Sequence, residues 1–130
     1  MPITSILFYQ EKKGDAPVVK WLSELRSKNP QGFANCVGRI HQLEGMGHEL
    51  RRPSADYLRD GIYELRAKHR SIQYRILYFF NGKNVAVLNH SIIKKGSAVP
   101  KKEIELAIKR KEKFEQNPEQ HTYQGGTIDD

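Results

Sequence analysis

The residues with chemistry in them are cations repeated at strand spacing. Residues 57–95 read YLRDGIYELRAKHRSIQYRILYFFNGKNVAVLNHSIIKK. Eight basic residues (Arg59, Arg66, Lys68, Arg70, Arg75, Lys83, Lys94, Lys95) stand there against Asp60 and Glu64, so +6 of the chain's net charge of +7 sits in this stretch. Guanidinium groups grip phosphate oxygens bidentately and stay charged. His90 belongs to the residue type that titrates near neutral pH. Together these suit a phosphodiester: positive charge for the developing oxyanion and a group to move a proton. The competing reading is a solvated sheet face that keeps the protein soluble, with His90 a strand histidine bonded to its neighbours.

Such side chains need elements to aim them. Residues 61–69, 71–80 and 84–95 are rich in Ile, Tyr, Phe, Val and Leu and read as three strands. Asn81-Gly82 is a hairpin signal, because both residues tolerate positive φ. With Arg70 and Ser71 as the first turn, Arg66 falls opposite Arg75, Leu65 opposite Ile76 and Tyr63 opposite Tyr78. One face is then apolar (Tyr63, Leu65, Ala67, Tyr74, Ile76, Tyr78) and the other polar (Glu64, Arg66, Lys68, Gln73, Arg75). His90 and Lys94 join the arginine face unless a bulge intervenes. Opposed arginines repel, so a sheet built for stability alone rarely pairs them.

The rest of the chain supplies the cover. Residues 3–10 suit a further strand, and residues 11–14 a charged turn. Asp15 is the expected N-cap of a helix with Pro17 in its first turn and a buried stripe of Val18, Trp21, Leu22 and Leu25. Asn29-Pro30 stops that helix and caps the next, whose stripe is Phe33, Val37, Ile40 and Leu43, ended by Gly45 and Gly47. The two helices form a hairpin over the apolar sheet face, leaving the arginine face open. Pro100 opens a last helix with Ile104, Ala107 and Ile108 inward and Lys101, Lys102, Lys109, Lys111 and Lys113 outward. The fold class is α+β: strand, helical hairpin, three-stranded antiparallel sheet, C-terminal helix. Residues 1–115 form one domain, and residues 116–130 are expected to be a loosely ordered polar tail.

Composition narrows the function further. A basic surplus on one sheet favours nucleic acid or another polyanion over a neutral metabolite. The single cysteine, Cys36, excludes an internal disulfide and fits a reducing compartment; it reads as a packed thiol. His41 and His48 read as surface or structural residues. No metal-ligand spacing, phosphate loop or other cofactor motif is present. No apolar run approaches the ~20 residues of a membrane span, and residues 1–13 lack a signal-peptide pattern. A cytoplasmic protein is the expectation.

DGIYELR (residues 60–66), YRILYFF (74–80) and NHSIIKK leading to PKKEIELAIKR (89–110) resemble the RelE/ParE toxin superfamily, and most nearly its HigB-type, phage-derived branch. The likeness spans residues 3–114. It implies the toxin of a type II toxin–antitoxin pair: an endoribonuclease that cleaves mRNA, usually on the ribosome, by 2′-hydroxyl attack without metal or cofactor. Its partners would be mRNA, the ribosome and a cognate helix-turn-helix antitoxin of HigA type. Carried onto this chain, Arg66 closes the Y-x-L-R strand, Arg75 follows the tyrosine of the next strand at the scissile phosphate, and Lys94 and Lys95 match the paired lysines after the last strand. The catalytic candidates are therefore Arg66, Arg75, His90 and Lys94, with Arg59, Lys68, Arg70 and Lys95 as RNA contacts. Glu64 follows Tyr63 where a nearby lysine is usual, which leaves the general base open. Ala98-Val99-Pro100 replaces a Lys-Thr-Pro entry to the last helix. Two other functions share this fold: a ParE-like topoisomerase inhibitor acting by protein contact, and a nucleic-acid-binding module without chemistry.

Overall fold

The computed structural model describes residues 3–96 and 98–125. Five strands form one mixed sheet in the order β1-β5-β4-β3-β2: β1 (Ser5–Phe8), β2 (Ala55–Arg59), β3 (Ile62–His69), β4 (Ile72–Phe80) and β5 (Val85–Lys94). Helices α1 (Pro17–Lys28) and α2 (Pro30–Met46) pack on one face, and α3 (Lys101–Gln116) lies on the other. The architecture is α+β in three layers.

The β3/β4 register is the one expected. Arg66 opposes Arg75, Leu65 opposes Ile76 and Tyr63 opposes Tyr78, across a turn at Arg70 (φ 56°) and Ser71. Strand β2 was not anticipated. It pairs antiparallel with β3 through Asp60 (φ 51°) and Gly61 (φ 83°), a two-residue Asp-Gly turn whose left-handed backbone suits glycine. Strand β1 is held parallel to β5.

The β4/β5 hairpin reaches the expected parity by two compensating departures. Near the turn Phe80 pairs with Ala86, one residue further along than a two- or four-residue loop allows. The register then shifts, with Tyr78 opposite Leu88 but Leu77 opposite His90. Asn89 is thus an extra residue, and its bulge returns His90 and Lys94 to the arginine side.

Pro17 begins α1, so the cap is Ala16 and not Asp15, and it makes no side-chain cap bond. Asn29 does cap α2, accepting from the Gly32 amide at 3.0 Å. The same side chain donates to Tyr74 Oη at 3.1 Å, tying the helical turn to β4. Gly32 is required there, because a Cβ would lie 2.5 Å from that hydroxyl. The buried stripe of α2 is Gly32, Cys36, Ile40 and Leu43: Ile40 and Leu43 are as expected, while Gly32 and Cys36 take the places of Phe33 and Val37, which are half-buried.

The segment after α3 departs most from expectation. Through Tyr123 it is bound to β1: Gln10 N–H donates to His121 O (2.9 Å), Tyr123 N–H donates to Phe8 O (2.9 Å), and His121 stacks on Tyr9. Apolar and backbone contacts with the open side of β1 compensate for its polar composition. The remaining tail, residues 126–130, lies outside the described residues.

Candidate active site

The arginine face is divided lengthwise. Over one half, α3 presses Ala107 and Phe114 onto Ile62, Leu77, Phe79 and Val87, a second apolar core. The other half carries Glu64, Arg66, Lys68, Gln73, Arg75 and Lys94, placed by period-two alternation on β3, β4 and β5. This half is turned away from the helical hairpin and lies beyond the reach of α3's apolar stripe.

Arg75 sits at its centre, yet only 2% of it is exposed. An open arginine was the expectation; the long side chain instead folds down among its neighbours. Its Nη1 donates to Tyr74 O (2.9 Å) and Nη2 to Gln73 Oε1 (2.8 Å). Its Nε stands 3.1 Å from Glu64 Oε1 but off the line of the N–H bond. Burial lowers its pKa and Glu64 opposes that shift; a guanidinium remains charged regardless. Glu64 is itself buried and reaches Arg66 at 3.9 Å. One carboxylate therefore bridges the two arginines whose repulsion the sequence left unanswered.

Arg66 is more accessible and lines a hollow of about 280 Å³ with Arg39, Pro53, Lys68, Gln73 and Arg75. Lys94 pairs across from Gln73. Its pKa is lowered, first by burial and then by Arg75 and Arg66, with Glu64 opposing. A lysine so placed gives up its proton more readily than one in water.

The other candidates divide. Lys68 is at the hollow, Arg70 is exposed in the β3/β4 turn, and Lys95 is exposed just past β5. Arg59 lies under the α3 half, paired with Asp60 at 2.6 Å and Glu105 at 3.8 Å. His90 also belongs to that half. It stands opposite Leu77, and both ring nitrogens are engaged: Nε2 with Glu103 Oε1 (2.7 Å) and Nδ1 with Arg110 Nη1 (3.2 Å). Arginine only donates, so Nδ1 accepts and Nε2–H donates to the carboxylate. That ring is a structural link between β5 and α3. Burial lowers its pKa, Glu103 opposes and Arg110 adds to the shift. His90 does not stand beside Arg75 as a third phosphate donor.

Arg39 is the residue that sequence reasoning missed. It lies on α2 beside Ile40 of the buried stripe, a flank position from which a long side chain reaches round the sheet edge. Its Nε donates to Arg66 O at 2.9 Å. Cys36 is fully buried, with its thiol pKa pushed up to about 12 by desolvation, as befits a packed side chain. Among the described residues no group of three His, Cys, Asp or Glu side chains is placed to hold a metal ion, and no helix is long and apolar enough to cross a membrane.

A family model described as "Phage derived protein Gp49-like (DUF891)" matches residues 20–112, from α1 through most of α3. No curated protein matches the chain. The chain belongs to the phage-derived Gp49-like family, a toxin family of RelE/ParE type.

Proposed function

We propose that this chain is the toxin of a HigB-like toxin–antitoxin pair, an endoribonuclease that cuts mRNA on the ribosome in the cytoplasm. Its partner is a helix-turn-helix antitoxin that holds it inactive until released. Support comes first from the family, whose toxins work against an antitoxin. The observation that carries the chemistry is the uncovered half of the sheet face, where Glu64 bridges Arg66 and Arg75, Lys68 shares the hollow and Lys94 pairs across from Gln73.

The reaction is transesterification, with no metal needed. Lys94, its pKa lowered by burial and then by Arg75 and Arg66, accepts the proton of the 2′-hydroxyl. The 2′-oxygen bonds to phosphorus as the bond to the 5′-oxygen breaks, and water at the open rim protonates the leaving oxygen. The products are a 2′,3′-cyclic phosphate and a 5′-hydroxyl. Arg66 receives the non-bridging oxygens, where charge grows in the transition state. Arg75 is a positioning residue: it orients Gln73 and Glu64 and adds positive potential from beneath.

The test is expression in bacteria without the partner, followed by incubation of purified protein with RNA and translating ribosomes. Growth arrest, loss of full-length mRNA and cyclic-phosphate ends are expected, and a 2′-deoxy nucleotide at the cut site should abolish cleavage. Damaged DNA with intact mRNA would instead identify a topoisomerase inhibitor.

A further inference from the structure

A second hollow of about 440 Å³ adjoins the first and shares Arg39, Ala67 and Lys68 with it. Its floor is Ala34 and Gly38, exposed and one helical turn apart on α2, with Asn35 and Gln42 at its margins. Neither hollow is lined by a carboxylate. Beyond Ser54 no β2 residue pairs with β3, and α2 side chains satisfy the exposed carbonyls there. Asn35 Nδ2 donates to Lys68 O (2.8 Å), and Arg39 Nε donates to Arg66 O (2.9 Å). An added strand would have to break both bonds, so this edge is blocked against β-augmentation.

Arg39 is held between the two hollows. Beyond the bond to Arg66 O, its Nη1 donates to Gln42 Oε1 at 2.8 Å, and its Nη2 takes part in neither bond. With Nε and Nη1 anchored, Nη2 is held in place to donate to an anion. The second hollow falls within the range of about 300–1,000 Å³ that small ligand sites occupy. Its small-residue floor leaves room for a flat ring, and Lys68 brings a second cation to the same rim.

We infer that the α2 hollow is the subsite for the nucleotide flanking the scissile phosphate. Arg39 and Lys68 hold the neighbouring phosphate, and the sugar and base lie over Ala34 and Gly38. The single strand then runs from the Arg66 hollow across the edge of β3 and along α2. This inference rests on the RNA reading above. It adds α2 to an active surface otherwise built from the sheet.

The test measures binding of a fluorescent 2′-O-methyl RNA about ten nucleotides long, which cannot be cut, across a range of salt concentrations. A Cβ at Gly38 meets nothing within 4 Å, so Gly38→Leu fills the hollow without disturbing the fold. It should weaken binding about tenfold, the contacts of one nucleotide. Arg39→Gln should lower the slope of log affinity against log salt by about 0.7, one single-strand phosphate contact. Lys109→Gln, on the exposed side of α3, should change the slope less. A Gly38→Leu protein that binds as tightly as its parent, with an unchanged slope for Arg39→Gln, overturns the subsite. So does a parent protein that does not bind the probe. Cleavage of unmodified RNA is scored separately: binding through α2 without any cutting would overturn the nuclease reading and leave this one standing.

Discussion

Two clusters of charged side chains occupy the same sheet face and are built on different terms. Under α3, Glu11 receives Tyr9 Oη (2.7 Å), Arg110 Nε (3.0 Å) and Lys113 Nζ (3.2 Å), while Glu103 receives His90. Arg110 also donates to Asn89 O at 2.8 Å and lies over the Tyr9 ring, so it pins the β5 bulge to the helix. There Glu11 answers both Arg110 and Lys113, and Glu103 is held by the His90 N–H. In the open half Glu64 lies between Arg66 and Arg75, Asp56 adds a weaker attraction to Arg66, and Lys68, Lys94 and Arg39 are close by. The first cluster fastens a helix, whereas the second keeps a positive surplus facing solvent. Charge balance and cover, more than residue type, separate the cluster under α3 from the open one on this face.

The comparison is broken hardest at Arg75. Exposed, it would be dispensable to folding; buried against Glu64, it is not. Arg75→Ala should cost about 3–5 kcal/mol, because it strands a buried carboxylate, and Glu64→Ala in the same chain should recover much of the loss. Chemical denaturation of the single and double variants measures this, and an unchanged midpoint for Arg75→Ala would refute the buried pair. Arg66→Ala should do the reverse. We expect cleavage to slow by about 10²-fold with little change in melting temperature, read on one preparation by gel assay and thermal unfolding.

Arg110→Met attacks the balanced cluster. Losing hydrogen bonds to charged partners should cost about 2 kcal/mol, while the cleavage rate of the folded protein stays at the parental value. A smaller effect comes from pH. His90 binds a proton less readily folded than unfolded, because burial lowers its pKa from 6.5. Its contribution is therefore full above pH 6.5 and declines as pH falls through the window down to the folded pKa. Denaturation at several pH values should show that decline in the parent and its loss in His90→Gln. The smallest change is expected at exposed Lys95. Lys95→Gln should leave stability unaltered and reduce the salt slope of RNA binding by about 0.7; an unaltered slope would remove Lys95 from the RNA path.

Much of this was legible because it is local. Alternation along β3 and β4, with Arg70-Ser71 between them, determined which side chains share a face and that Arg66 meets Arg75. Asn29-Pro30 marked the helical hairpin, since proline has no amide to donate and asparagine caps well. The Asp60-Gly61 turn was equally local, and reading it would have revealed β2. Other features depend on residues far apart in the chain. That β1 lies parallel to β5, that residues 117–123 return to β1, and that α3 covers one half of a face are matters of packing. So is the burial of Arg75, whose partners Glu64 and Gln73 close over it from two strands. Periodicity assigns a side chain to a face, but it carries no information about what lands on that face. The sequence alone therefore determined the cationic set and its register; only the tertiary structure decided that His90 ties β5 to α3, that Arg75 is buried beneath its neighbours, and that Arg66, Lys68 and Lys94 keep some exposure.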